Sequence, residues 1–252
     1  MISKHTFDEA VRIYNLGDIH RGSPQCDAKF LHRVIAEIAG NSNARWVSTG
    51  DLLDVATRHS VSDVHDAISV QQEADMLALE LAPIKDKCLG FVASNHHRRV
   101  DKHTGLSLDR MLASLIGIPY LGITGLLNVV VGKGSHYLCL HHGTGSGTPG
   151  NAVNRALKVA ALYKGCDVYL TGHTHKMDVH PFLQQVVDRK RGIVRTIQSY
   201  MIITGHFLSW QESYAEGMGL DPSPIGCAFV DIGPNVNGRE DCKRISPGFV
   251  TA

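Results

Sequence analysis

Five apolar, strand-like runs in this chain each end in a cluster of carboxylate, amide or imidazole side chains, and that recurrence limits the fold more than any other feature. Val11 to Leu16 leads into Asp18-Ile-His20. Trp46-Val-Ser-Thr49 leads into Gly50-Asp51-Leu-Leu-Asp54, and Leu89-Gly-Phe-Val-Ala93 into Ser94-Asn95-His96-His97. His136 to Leu140 leads into His141-His142-Gly143, and Val168-Tyr-Leu170 into Gly172-His173-Thr-His175. Each cluster alone is weak, because an Asp-x-His or an Asn after a strand is ordinarily a turn. Taken in order, they ask for a sheet whose carboxyl ends converge, which is where ligands collect in α/β proteins.

The segments between these runs read as helices. Asp27 caps a helix with Phe30, Leu31, Val34, Ile35 and Ile38 on one face and Gly40 just past its end. Ser62 or Asp63 opens a longer helix through Val64, Ala67, Ile68, Ala74, Leu77, Ala78 and Leu81, stopped by Pro83. Leu108, Met111, Leu112 and Leu115 mark another, ended by Gly117. A helix from Asn151 to Tyr163 closes at Gly165. Leu126 to Val131 and His136 to Leu140 form a hairpin around Gly-Lys-Gly. Strand-rich stretches follow at about 179–188 and 192–203, and Ile225 to Ile232 is a last strand. There is no repeat or linker, so residues 1–252 read as one α/β domain of two stacked mixed β-sheets flanked by helices.

Composition tilts against some classes of function. The formal net charge of +1 and 6% aromatic content provide no phosphate-tracking or base-stacking surface for long nucleic acid. No apolar run reaches the ~18 residues of a membrane span, and the first ten residues do not read as a signal peptide. The six cysteines, Cys26, Cys88, Cys139, Cys166, Cys227 and Cys242, form no CxxC and read as free thiols of a reducing cytoplasm. Histidine is the unusual residue, with fifteen, many of them in pairs.

Carboxylate and amide oxygen mixed with imidazole nitrogen suits Mn²⁺, Fe or Zn²⁺ better than Ca²⁺, and the lack of thiolate argues against a structural zinc knot. Asp-x-His, Gly-Asp-x-x-Asp, Asn-His, His-Gly and Gly-His-x-His, in that order from 18 to 175, resemble the signature of the calcineurin-like metallophosphoesterases. The resemblance implies a four-layer α/β/β/α sandwich with a two-metal centre at the strand ends, Mn²⁺ being the first expectation. It implies that Asp18, His20 and His175 hold one ion, that Asn95, His142 and His173 hold the other, and that Asp51 bridges them. His96 is then the general acid, Asp54 orients it, and a hydroxide between the metals attacks phosphorus in line. The stretches Thr204-Gly-His-Phe-Leu208, Tyr214-Ala-Glu-Gly217 and Pro222 to Gly226 resemble a phage and prophage branch of that family.

The chain departs from the pattern at Ser94, where the family has Gly, and at His97, where it has an acidic residue. His141 and His142 compete for one ligand role, and His142 is preferred because it directly precedes the Gly. His206 and His180 read as surface or core histidines. Arg58, Arg98 and Arg155 are candidate substrate-binding cations, since a guanidinium matches phosphate geometry, and Arg99 shares that chance with Arg98. Gly143 to Gly150 reads as a phosphate cradle, a lid or a plain linker. The expected activity is hydrolysis of phosphate monoesters or diesters. The alternatives are a metal-dependent nuclease on DNA or RNA and a non-catalytic metal-binding interaction protein.

Overall fold

The structure, a computed structural model, describes residues 2–56, 68–144, 151–235 and 243–252. One sheet contains β1 (Ile2–Phe7), β5 (Thr124–Val131), β6 (Gly134–His141), β7 (Val168–Thr171), β8 (Met177–Asp188) and β9 (Ile193–His206). The other contains β2 (Val11–Asn15), β3 (Ala44–Ser48), β4 (Cys88–Phe91), β10 (Gly226–Gly233) and β11 (Arg244–Thr251). Both mix parallel and antiparallel pairs. They join at one corner, where His206 and Gly205 at the end of β9 pair with Gly226 and Cys227 of β10.

Side-chain alternation along the strands builds the layers. Ile13, Val47 and Leu89 of one sheet meet Leu127, Val129, Leu138, Leu140, Val168, Leu170 and Ile202 of the other in a central apolar core. The alternate residues Tyr14 and Trp46 face outward onto α1 (Ala28–Gly40), α2 (Val70–Leu81) and α4 (Leu108–Ile116). Cys139, Tyr169 and Met201 face the opposite way onto α5 (Ala152–Leu162). The result is a four-layer α/β/β/α sandwich, as the strand and helix alternation implies.

Local chemistry sets the helix ends. Asp27 accepts a hydrogen bond from the Phe30 amide at 2.9 Å to start α1, whose Leu31, Val34 and Ile38 are fully buried, each contributing about 2 kcal/mol of transfer free energy. α2 starts later than the apolar spacing suggests. Ser69 caps it and Gln72 reaches back, a reciprocal capping box, while Ile68 and Ser69 are not helical. The expected caps Ser62 and Asp63 lie outside the described residues. α3 (Arg98–Thr104), β1 and β11 have no counterpart in the sequence reading. Five cysteines of the described residues are free thiols, four of them buried. No helix among the described residues is long and apolar enough to cross a membrane.

Candidate metal centre

The loops after β2, β3, β4, β6 and β7 converge on one cluster of side chains, and the backbone of three of them, those after β2, β3 and β7, is strained. Asp18, His20, Asp51, Val55, His173 and His175 all have positive φ, between 49° and 70°. Non-glycine residues avoid this region, at a cost on the order of 1–3 kcal/mol each. Here it turns successive side chains of short loops toward one point. Gly172 makes the close approach possible, because a Cβ there would lie 2.2 Å from Asp18 Oδ2.

Three groups of potential ligands result: Asp18 with His20 and His175, Asp51 with His142 and His173, and His20 with Asp54 and His96. Within each, one ligand atom per residue lies within 4.8 Å of the others. Asp51 stands between the first two. Its Oδ2 is 3.2 Å from His142 Nε2, 3.8 Å from His96 Nε2 and 3.9 Å from His20 Nε2. Asn95 Oδ1 is 2.6 Å from His142 Nε2, which brings it beside the second group. His20 Nε2 and His175 Nε2 face each other at 3.2 Å, with Asp18 Oδ1 3.6 Å from the latter.

The donor set fits divalent cations. His142 Nδ1–H donates to the Thr49 carbonyl at 2.8 Å, so its other nitrogen faces two oxygens, Asn95 Oδ1 and Asp51 Oδ2. That arrangement needs positive charge at Nε2, from a second ring proton or from a metal. The protein alone supplies the proton: burial opposes it, but Asp51 and Asp18 push the His142 pKa up to about 9. A carbonyl-anchored Nδ1 is the usual support of a metal-ligating imidazole. Burial also pushes Asp18 up to about 7 against the pull of His142, whereas Asp51, despite burial, is held well below the carboxylate range by His142 and His96. His173 N–H donates to both Asp18 oxygens, at 3.0 and 2.9 Å, and fixes that carboxylate.

His96 lies beside this centre. Its Nδ1–H donates to the main-chain carbonyl of Asp54 at 2.7 Å, and the Asp54 carboxylate is 3.8 Å away. That carboxylate is closer to His20 Nδ1, at 3.3 Å. Asp54 thus meets His96 first through its backbone. Burial, reinforced by His20 and Arg99, draws the His96 pKa down to about 4 against Asp51. Arg99 Nη2 is 3.2 Å from His96 Nε2, and Arg99 also donates to the carbonyls of Asp54 and Val55.

The remaining candidates are spread out. Arg98 is exposed and its neighbour Arg99 is the arginine beside His96. Arg155 sits on α5, and Arg58 lies outside the described residues, as do residues 145–150 of the glycine-rich loop. His141 is outside all three ligand groups and accepts from the Gly143 amide through Nδ1 at 2.9 Å. His180 is on β8, stacked on Phe182. His206, read from the sequence as a surface or core histidine, lies beside the cluster. It is buried and stacked on His175 at 5.1 Å, and its one sequence signal is the Gly-His dipeptide at the end of β9.

His97 is fully buried against Asp109, and Glu73 is buried against the Val55 amide, 3.0 Å from its Oε2. Both contacts support the loop from Leu52 to Val55, and neither was visible from spacing.

No protein-family model matches the chain, and no curated protein matches it. Among solved structures, the calcineurin-like phosphoesterase YfkN from Bacillus subtilis aligns with a TM-score of 0.51 at 10% identity, over 96% of this chain and 91% of that one. A metallophosphoesterase from Sphaerobacter thermophilus aligns at 0.40 with 12% identity, over 96% and 88%. The nuclease MPE of Pseudomonas putida aligns at 0.38 with 11% identity, over 94% and 87%. The first likeness, together with the two-sheet sandwich, shows that this chain has the fold of the calcineurin-like phosphoesterases.

Proposed function

We propose that residues 1–252 form one domain that hydrolyses phosphate esters with two divalent metal ions. The observation that carries this reading is the place of Asp51, one carboxylate between the Asp18–His20–His175 group and the His142–His173 group. Asn95 completes the second group. Mn²⁺ is the first expectation, with Fe or Zn²⁺ compatible with the same imidazole and carboxylate donors. Divalent ions held at such a centre neutralise phosphoryl oxygens and lower the pKa of water.

The chain's own groups divide the remaining work. Asp18, fixed by the His173 amide, and Asp51 set the negative charge that draws cations in. His96 is the candidate proton donor to the leaving oxygen. It is neutral in the free protein at pH 7, so the negative charge of a bound phosphate has to bring the second proton to Nε2. Arg99, beside that nitrogen, is placed to meet a phosphoryl oxygen.

The test is hydrolysis of a chromogenic monoester, a diester and a short DNA, side by side, with Mn²⁺, with Mg²⁺ and with excess chelator. The expected outcome is turnover of at least one small ester with Mn²⁺ above Mg²⁺, abolished by chelator. Full activity in chelator overturns the reading.

A further inference from the structure

The metal-ligand cluster forms only one side of a cavity of about 360 Å³. Asp51, His96, His173 and His175 line that side. The rest of the lining comes largely from the segment after β9, where Leu208, Trp210, Ala215, Met218 and Leu220 form an apolar patch of wall bordered by Ser209, Ser213, Asp221 and Ser223. A cavity that needed only to hold inorganic phosphate would gain nothing from such a wall.

The wall is built, rather than draped. Trp210 Nε1–H donates to the Leu220 carbonyl at 2.8 Å and closes the segment on itself. Ser213 Oγ–H donates to the Trp210 carbonyl at 2.6 Å, and the Leu220 amide to the Ala215 carbonyl at 2.9 Å. The lobe is tied to the metal side at two points. The Ser209 amide donates to the Gln25 carbonyl at 2.8 Å, and Lys176 Nζ to the Asp221 carbonyl at 3.1 Å. Such self-bonded loops hold their shape without a ligand. The indole is therefore held at a fixed distance from the ligand cluster.

We infer that the substrate is a small phosphate ester whose alcohol part carries a flat, uncharged ring, seated on the wall of Leu208, Trp210, Met218 and Leu220. This rests on the phosphoesterase reading and narrows it. The cavity has the volume of one small ligand, and its polar and apolar sides match the two ends of such an ester. Ring faces stack on indole, and an apolar wall rewards the ring's removal from water. The ring could belong to a nucleoside or to a simple aryl alcohol.

Calorimetric titration of the Mn²⁺-loaded chain with non-hydrolysable phosphonates tests this. The probes are benzylphosphonate, ethylphosphonate and the methylene-phosphonate analogue of adenosine 5′-monophosphate. At least one ring-bearing probe is expected to bind roughly tenfold or more tighter than ethylphosphonate. The stronger of the two identifies the kind of ring. Trp210 emission should change with the ring-bearing probe, and Trp46, fully buried elsewhere, should not contribute. Met218 is 59% exposed at the cavity edge, so Met218→Gln leaves the fold intact and should lower the ring preference several-fold. Trp210→Phe should reduce it further. Equal affinity for all three probes overturns the ring assignment while leaving the phosphoesterase reading in place. If no phosphonate binds the metal-loaded protein, both fall together.

Discussion

His97 Nδ1 lies 2.6 Å from Asp109 Oδ1 with both side chains out of solvent, and the opposite ring nitrogen, Nε2, accepts the Leu53 amide at 3.3 Å. A helix residue of α4 thereby holds the loop that carries Asp51 and Asp54. The family pattern has a carboxylate at position 97. In this chain the carboxylate comes from Asp109 and acts through the imidazole.

Asp109→Asn removes the charge that the buried imidazole donates to. It should destabilise the fold by about 1.5–3 kcal/mol, the scale of a buried hydrogen bond to a charged group. It should also lower kcat more than it alters KM, because the loop with Asp51 and Asp54 loses its support. An unchanged chemical denaturation midpoint would sink the idea.

His96→Asn tests the proton donor. Protonation matters most for a poor leaving group, so an alkyl phosphoester should slow by roughly two orders of magnitude and a nitrophenyl ester far less. Metal content should not change. Equal slowing of both esters would make His96 a substrate-positioning residue only.

Asp51→Asn removes negative charge from between the two ligand groups. Elemental analysis should find well under two metals per chain, with both ions lost rather than one. Retention of two ions would show that the bridge lies elsewhere.

Adjacent histidines make a sharper pair. His142→Ala should deplete one metal, since Nε2 of that ring meets Asp51 and Asn95. His141→Ala should leave the metal content nearly whole, because its ring is engaged with the Gly143 amide. The reverse result would exchange the two assignments.

Glu73 gives a pH dependence from behind the loop that carries Asp54. Burial pushes its pKa up to about 7 against the pull of the Val55 amide. A carboxyl raised in the folded state favours the neutral form. Its stabilising contribution is therefore present at low pH and fades as pH rises from about 4.5 to 7. At about 1.4 kcal/mol per pKa unit, the loss is on the order of 3 kcal/mol. Glu73→Gln should flatten the melting-temperature profile across that window relative to wild type, both measured in excess chelator. Parallel profiles would rule Glu73 out as the source.

The strand ends were legible because each signal is local: an apolar run of fixed period followed by a polar cluster. Asp18, His20, Asp51, His142, His173 and His175 could be read that way. The support for them could not. Asp109 meets His97 from another helix, and Glu73 meets Val55 from α2. Neither has a spacing that local periodicity can detect. β1 carries Ser, Lys, His and Thr at alternate exposure, and β11 contains Pro247 and Gly248, so neither has a strand-like composition. The start of α2 was misplaced because Val64 and Ala67 continue the apolar spacing upstream of the Ser69 cap. Arg99 rather than Arg98 turns toward His96 because α3 begins there, and one step along a helix rotates a side chain by about 100°.

The positive-φ backbone at Asp18, His20, Asp51, His173 and His175 has a consequence for mutational drift. Glycine adopts that conformation without strain. Loss of a ligand side chain to glycine at any of these positions relieves the main chain while it removes affinity for a cation. In the absence of metal, that relief favours the loss at His173 and His175, which are only partly buried, whereas Asp18 and Asp51 are retained by the amides they accept, His173 N–H and His96 N–H. On the two-metal reading, the cluster persists only while binding a cation returns more than the strain costs. A metal-free descendant of this chain would therefore accumulate glycines at His173 and His175 before it did so at Asp18 or Asp51, and the loop backbone would relax as the cluster came apart.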